Sequence, residues 1–201
     1  MLDVGGGTGI DAMALTAAGF RVVVAEPSPG MAAVARARGA EVMEVAAEGL
    51  AAYHGLGAFD AALSNFGALN CLGRLEAFGE GLALRLGPGA PAVLVVMGPF
   101  ALAESVLLAG TGRFRSLARR RASEVRLGAG SVQVRWWTPG DLARALPAFT
   151  LESVHALGVL QPAPDLHAGS RALRRWDARV AGLPLLRGMG DHTICVMRRR
   201  P

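Results

Sequence analysis

Residues suited to holding a nucleoside stand close to the start of the chain. Gly5, Gly7 and Gly9 follow the apolar run 2–4, and Glu26 ends a Val-rich run roughly 20 residues further on. Glycine permits positive φ and, having no Cβ, lets a ligand approach the backbone closely. An acid at the end of the second strand accepts hydrogen bonds from both hydroxyls of a ribose. Together these residues predict a nucleoside-binding site at the carboxyl ends of parallel strands.

The spacing of the glycines leaves a second class of nucleotide site open. A dinucleotide fingerprint that starts directly after the strand requires glycine at position 10, where Ile10 stands. A fingerprint that starts at Gly7 continues with Gly9 and Ala12, which is the alanine variant of the pattern. A nicotinamide-dependent dehydrogenase is therefore an alternative, but it needs the pattern shifted away from the strand end.

The elements that must position these residues alternate regularly in the first half of the chain. The sequence predicts strands over 2–4, 21–25, 41–45, 59–63 and 92–97, and helices over 11–18, 28–38 and 72–86. We expect Ser28 to cap the second helix, with Pro29 at its first position. Continuous apolar strands separated by helices predict an α/β fold with a doubly wound, mostly parallel Rossmann-like sheet and helices on both faces.

The second half of the chain is less regular. It predicts helices over 102–108, 138–146 and 164–180, strands over 151–160 and 193–197, and a hairpin formed by 125–127 and 132–136. No repeat or linker interrupts the chain, so we expect a single domain over residues 1–201.

The opening motif resembles that of the class I S-adenosylmethionine-dependent methyltransferases. Their first motif is an acid, any residue, and three glycines at alternate positions, which Asp3, Gly5, Gly7 and Gly9 fit. The specific similarity covers roughly residues 1–97. It implies an antiparallel last strand, a cofactor-binding half over 1–97, a variable substrate-side half over 98–201, and S-adenosylmethionine as the cofactor.

The resemblance also implies roles for individual residues. The glycine loop would pack beside the methionine part of the cofactor, and Asp3 would orient the loop or contact the amino group through water. Glu26 would bind the ribose hydroxyls. Ala46 stands where the family places an acid near the adenine, so that contact would fall to Ala47 or Glu48. The implied cofactor residues are Asp3, Gly5, Gly6, Gly7, Gly9, Glu26, Pro27, Met31, Ala47, Glu48, Asn65 and Phe66.

Members of this family usually carry a helical segment before the first strand, whereas this chain begins inside that strand. We therefore expect a protein of reduced stability with an open cofactor site.

The sequence assigns no catalytic base. His54, His155, His167 and His192 are scattered, and the pair Asp191-His192 just before the last strand is the first candidate to examine. Asn70 and His192 are predicted to contact the substrate, and the segment between Leu160 and Thr193 is predicted to form one wall of its pocket. We expect the methyl acceptor to be a small molecule.

The distribution of positive charge indicates an alternative class of methyl acceptor. The net charge is +5, all the positive side chains are Arg, and six of them lie between Arg113 and Arg126. This cluster would suit an RNA or protein methyltransferase, but the near absence of Ile and Asn and the lack of Lys indicate a GC-rich coding bias, so nucleic acid is not the favoured partner. A cofactor-binding module without turnover is the third alternative.

The remaining features of the sequence exclude several classes of protein. Gly and Pro interrupt the longest uncharged stretch, 86–103, so no membrane span or membrane partner is expected. The N-terminus has no signal-peptide pattern, and Cys71 and Cys195 offer neither a disulfide framework nor metal-ligand spacing. We expect a cytoplasmic protein without a metal site; the sequence does not predict its oligomeric state.

Overall fold

A computed structural model describes residues 1–53, 58–113, 120, 124–127, 130–161 and 171–201. The strands of these residues are β1 (Leu2–Val4), β2 (Val23–Ala25), β3 (Glu41–Met43), β4 (Ala62–Ser64), β5 (Pro91–Val96), β6 (Glu124–Leu127), β7 (Gly130–Gln133), β8 (Phe149–Leu157) and β9 (His192–Arg199). The helices are α1 (Ile10–Ala17), α2 (Pro29–Ala37), α3 (Leu75–Arg85), α4 (Leu102–Gly110), α5 (Pro139–Ala145) and α6 (Arg171–Val180). Ala47–Ala52 and Ala68–Cys71 form 3₁₀ turns.

Seven strands form one sheet in the order β3-β2-β1-β4-β5-β9-β8. β1 to β5 pair in parallel, and β9 runs antiparallel to both of its neighbours. The predicted doubly wound sheet with an antiparallel last strand is confirmed. The strand order reverses direction between β1 and β4, and in such sheets the crevice at the carboxyl ends of the reversing strands binds the ligand.

Capping residues determine where two helices begin, at the positions that the sequence predicts. The Ser28 hydroxyl accepts a hydrogen bond from the Met31 amide, with Pro29 as the first residue of α2. Thr138 and Asp141 form a reciprocal capping box at the start of α5. Both helices therefore begin at the predicted residues.

Residues from both halves of the chain share one buried core. Leu2 and Val4 of β1 belong to the same buried cluster as Phe78 of α3, Phe149 of β8 and Met197 of β9. On the opposite side of the sheet Ala12 of α1 packs with Val22 and Val24. This shared core favours the single domain over 1–201, which stays a prediction.

Several predicted boundaries differ from those of the structure. The helix expected over 72–86 begins at Leu75, because Ala68–Cys71 form a 3₁₀ turn before it. The predicted hairpin exists as the pair β6–β7, but its second strand ends at Gln133 rather than at position 136. Of the helix expected over 164–180, residues 164–170 lie outside the described residues.

Within the described residues, every helix is too short or too polar to traverse a lipid bilayer.

Candidate active site

The glycine loop connects β1 to α1 and has the predicted backbone geometry. Gly5, Gly7 and Gly9 have φ of 69°, 56° and 79°, in the left-handed region that glycine adopts without strain. A Cβ on Gly5 would lie only 2.4 Å from the Cβ of Ala68. The loop after β4 therefore packs directly onto the loop after β1, which requires glycine at position 5.

Glu26 lies at the end of β2 and faces the glycine loop. Its Oε2 accepts a hydrogen bond from the amide of Gly7 at 3.0 Å, and its Oε1 accepts one from the amide of Ser28 at 2.9 Å. The residue is 6% exposed. Two backbone donors thus fix the carboxylate, and each oxygen keeps further capacity to accept a hydrogen bond from a ligand.

Asp3 is a buried carboxylate without a partner among the described residues. It is 1% exposed, and neither of its side-chain oxygens accepts a hydrogen bond there. Burial, and then the charges of Asp11 and Glu26, raise the pKa of Asp3 to about 7. Its Oδ2 lies directly beneath the loop, since a Cβ on Gly6 would be 2.4 Å from it. Such a site gains stability from a cationic ligand.

A cavity of about 390 Å³ opens in front of the glycine loop, and we call it the cofactor cavity. Nine of the predicted cofactor residues line it: Gly5, Gly7, Glu26, Pro27, Met31, Ala47, Glu48, Asn65 and Phe66. The remainder of its wall is Val4, Ala46, Gly67, Ala68, Leu69, Cys71 and Leu72.

Three predicted cofactor residues, Asp3, Gly6 and Gly9, do not line this cavity, and their cofactor roles stay predictions. Asp3 and Gly6 pack against each other beneath the loop. A Cβ on Gly9 would lie 3.1 Å from the Cβ of Ala35, so Gly9 allows α2 to pack closely against the start of α1. These residues support the loop from behind.

The loop after β4 is held in an unusual conformation. Asn65 donates from Nδ2 to Oδ2 of Asp11 at 2.9 Å, and its Oδ1 accepts the amide of Phe66 at 2.8 Å. Phe66 has φ of 50°, a value that non-glycine residues rarely adopt, and its ring is 76% exposed. The Asn65 carboxamide thus holds the backbone of Phe66 in a strained conformation that leaves its side chain exposed at the edge of the cofactor cavity.

A second cavity of about 660 Å³ adjoins the first, and we call it the acceptor cavity. Asn65 and Phe66 line both cavities. Val95, Ile194 and His155 are register partners across β5, β9 and β8, so they form one row on the same face of the sheet. The other lining residues are Ala156, Leu157, Gly158, Gln161, Asp177, Ala178, Ala181, Asp191 and His192.

The polar residues of the acceptor cavity were only partly predicted. His192 lies in its wall, and the part of the segment 160–193 that the structure describes contributes Asp177, Ala178 and Ala181 of α6 and the turn after it. Gln161 also belongs to the predicted wall segment, whereas His155 had no local signal because only the pairing of β8 with β9 brings it close to His192.

Asn70 lines neither of these two cavities, so its substrate role stays a prediction without support from them. It is fully buried. Its Nδ2 donates to the carbonyls of Met97 and Arg135, and its Oδ1 accepts the amide of Met97 at 2.9 Å. The amide instead joins the end of β5 to the segment before α5.

The basic cluster 113–126 is only partly described. Arg120 is buried and pairs with Glu104 and Asp191, so it is not part of an exposed cationic surface. Arg113 is exposed. Arg115, Arg119 and Arg121 lie outside the described residues, as do His54 and His167, and the side chain of Arg126 is likewise not described.

The comparisons with known proteins agree with this geometry. Residues 2–94 match a family model described as a methyltransferase domain, and they contain the glycine loop, Glu26 and the loop after β4. The matched residues are the methyltransferase domain of an S-adenosylmethionine-dependent methyltransferase. Its cofactor is S-adenosylmethionine, and its reaction is methyl transfer.

Solved structures match this methyltransferase over nearly its whole length. A methyltransferase from Mesorhizobium loti is 18% identical with a TM-score of 0.61, the match covering 98% of this chain and 89% of that one. The CcbJ methyltransferase from Streptomyces caelestis is 15% identical, with a TM-score of 0.64 and coverage of 100% and 83%. A methyltransferase from Methanosarcina mazei is 14% identical, with a TM-score of 0.64 and coverage of 99% and 91%. At these identities the likeness shows the fold alone. No curated protein matches the sequence.

The residues present fit this cofactor. S-adenosylmethionine carries a ribose diol, an ammonium and a sulfonium. Glu26 offers a fixed carboxylate at the cavity wall, Asp3 is an uncompensated acid beneath the loop, and Gly5 and Gly7 bring bare backbone to the cavity.

Proposed function

We propose that this methyltransferase transfers the methyl group of S-adenosylmethionine to a small-molecule acceptor bound in the acceptor cavity. The observation that carries the proposal is the wall shared by the two cavities. Asn65 and Phe66 line both, so a cofactor in one and an acceptor in the other would meet at these two residues. Holding two reactants in contact and in line is the main contribution of a protein to such a displacement.

The cofactor half of the proposal assigns a role to each predicted residue. Glu26 accepts hydrogen bonds from the ribose hydroxyls, with its oxygens oriented by the amides of Gly7 and Ser28. The negative charge of Asp3 stabilises the positive end of the cofactor from beneath the loop. Pro27 and Met31 flank the adenine, and Ala47 and Glu48 lie at its edge. When bound, S-adenosylmethionine supplies a methyl group on a positively charged sulfur.

The size and lining of the acceptor cavity favour a small molecule. A volume of about 660 Å³ lies in the range of small-ligand sites, and the row Val95, Ile194 and His155 with Ala178 and Ala181 gives it a mostly apolar wall. Arg120, one of the six arginines of the cluster that would suit an RNA acceptor, is buried in an ion pair and is not available to such a partner.

A cavity-filling variant tests this assignment. Ala178→Trp adds an indole at the wall of the acceptor cavity, and Ala37→Trp, on the exposed side of α2, is the matched control. Each protein is incubated with S-adenosylmethionine labelled in its methyl group and, separately, with a low-mass metabolite extract, total RNA and total protein. We expect label in the low-mass fraction for wild type and Ala37→Trp, and at least a tenfold loss for Ala178→Trp with unchanged cofactor affinity. Label in RNA or protein alone would overturn the proposal.

A further inference from the structure

His192 stands at the end of the sheet nearest to both cavities. Thr193 pairs with Val96, the last residue of β5, so His192 lies level with Met97. Met97 packs against the loop after β4, because its Cε would be 2.8 Å from a Cβ on Gly67. His192 therefore lines the acceptor cavity beside the loop that separates it from the cofactor cavity.

The imidazole of His192 is held through one nitrogen. Its Nδ1 lies 2.9 Å from Oδ2 of Asp191, a contact that acts as a hydrogen bond from His192 in lowering the pKa of Asp191. The other oxygen of Asp191 pairs with Arg120. Within the described part of the chain, Nε2 of His192 makes no hydrogen bond. A proton fixed on Nδ1 leaves the Nε2 lone pair as the basic site of the neutral ring.

Arg120 is in turn fixed from several sides. Its Nε donates to Oε2 of Glu104 at 2.8 Å, and its Nη1 donates to the carbonyl of Gly98 at 3.2 Å. Its guanidinium lies 5.3 Å from the centroid of the Trp136 ring. The chain Glu104, Arg120, Asp191 and His192 therefore extends from α4 to the acceptor cavity, and only its last member lacks a second partner among the described residues.

The other titratable groups of the cavity indicate which acceptor this base would serve. His155 faces the cavity from β8, and Asp177 faces it from α6. Asp177 accepts the amides of Gly158 and Leu160 at 2.9 Å and 2.7 Å. Both lining carboxylates, Asp177 and Asp191, are thus already bonded. Asp177, like Glu26, keeps capacity to accept from a ligand, so the preference for a neutral acceptor over an alkylammonium ion rests on the mostly apolar wall of the cavity.

We propose that His192 is the general base of the reaction, that Asp191 and Arg120 position it, and that the acceptor is a neutral apolar molecule with a hydroxyl group. This inference rests on the proposed function and names its acceptor class. The acceptor oxygen forms a bond to the methyl carbon as the bond between that carbon and sulfur breaks. The sulfur keeps the bonding electron pair and leaves as S-adenosylhomocysteine, and the hydroxyl proton goes to Nε2 of His192.

Asp191 has the charge state that this role needs. Although burial raises the pKa of Asp191, the hydrogen bond from His192 and the charges of His192 and Arg120 outweigh burial and hold that pKa below its ordinary value. Asp191 is therefore a carboxylate near neutral pH, able to orient Nδ1–H and to stabilise the imidazolium formed in the reaction.

Nitrogen NMR of isotope-labelled histidine tests the inference without turnover. The protein is saturated with S-adenosylhomocysteine, and His192→Gln and His155→Gln assign the two cavity signals. In the neutral ring of His192 we expect the proton on Nδ1. We expect Asp191→Asn to mix the two tautomers of His192 and to leave the His155 signals in place. A proton on Nε2 in the neutral wild type would overturn the proposal.

The acceptor class is tested with naphthol and, as its cationic counterpart, naphthylmethylamine. Naphthol should bind and shift the Nε2 resonance of His192, whereas naphthylmethylamine should bind at least tenfold more weakly. Failure of naphthol to bind, or binding that leaves Nε2 unchanged, contradicts the inference.

A kinetic test separates this inference from the proposed function. With a low-mass acceptor in hand, His192→Gln should lower kcat by about a hundredfold or more and remove the fall of kcat at acid pH, with unchanged cofactor affinity. If low-mass acceptors are methylated equally well by His192→Gln, the proposed function stands and the base assignment fails. If only macromolecules are methylated, the proposed function itself fails.

Discussion

The amide of Gly7 donates to Oε2 of Glu26 at 3.0 Å, so the loop after β1 and the acid after β2 form one bonded unit. A second bond, from the amide of Ser28, fixes the other oxygen. The carboxylate is therefore oriented before any ligand binds, and ligand binding does not have to order it.

Gly5→Ala should destabilise the protein. The new methyl group would lie 2.4 Å from the Cβ of Ala68, and the residue would keep φ of 69°. We expect a loss of about 2 kcal/mol or more in the free energy of unfolding, together with weaker cofactor binding. Gly30→Ala in α2 is the control, since open space surrounds it and its φ is ordinary. It should raise stability by about 0.5–1 kcal/mol in chemical denaturation. Equal effects of the two substitutions would be inconsistent with this packing.

Asp3→Asn should make the ligand-free protein more stable at alkaline pH. With a pKa raised to about 7, against an ordinary value of 3.8, folded Asp3 holds its proton across a range in which the unfolded chain has released it. The free energy of unfolding therefore falls as pH rises from about 4 to 7, and the full cost, on the order of 4 kcal/mol, is present above pH 7.

Urea denaturation at pH 5 and pH 8 measures this effect. The stability gained by Asp3→Asn should be larger at pH 8 than at pH 5, and affinity for S-adenosylmethionine should fall because the negative charge beneath the loop is lost. A gain that does not depend on pH would show that the Asp3 charge is not the cause.

Phe66→Gly and Phe66→Ala together should isolate the backbone strain in the loop after β4. Both remove the exposed ring, but only glycine adopts φ of 50° without cost. Phe66→Gly should exceed Phe66→Ala in stability by about 1 kcal/mol. In steady-state kinetics both should raise KM for the acceptor, since the ring lines its cavity. If the alanine variant were the more stable, the strained conformation would be refuted.

Arg120→Met should destabilise the protein much more than loss of an exposed arginine. It removes the buried cation that pairs with both Glu104 and Asp191, a change that typically costs about 3–5 kcal/mol. Arg198→Met is the matched control, because Arg198 pairs with Glu152 at the surface, and it should leave the Tm close to that of wild type. Thermal unfolding of the two variants compares them, and similar Tm losses would contradict the buried network.

Much of the cofactor half was predictable because its signals are local. The glycine loop needs positive φ at fixed positions, Glu26 ends a strand, and Ser28-Pro29 is a helix start that short-range sterics and hydrogen bonding determine. These signals do not depend on the remainder of the chain, so the sequence carries them directly.

The acceptor half was less predictable because distant segments build it. His155 and His192 come together only through the register of β8 and β9, and Asp177 reaches them from α6. Asn70 lies in the loop after β4, where the sequence predicts a substrate contact. In the structure it is fully buried and donates hydrogen bonds to two backbone carbonyls. Nor does composition distinguish Arg120, which pairs inside the protein, from the arginines around it.

Calorimetric titration of S-adenosylmethionine into wild type, Glu26→Gln and the surface control Glu44→Gln tests the central claim most directly. Glu26→Gln removes the charge that would bind the ribose hydroxyls, so we expect at least about a hundredfold weaker binding. Glu44 pairs with Arg36 at the surface, and Glu44→Gln should bind as wild type does. Near-native affinity in a folded Glu26→Gln protein would contradict the placement of the cofactor at the glycine loop and Glu26.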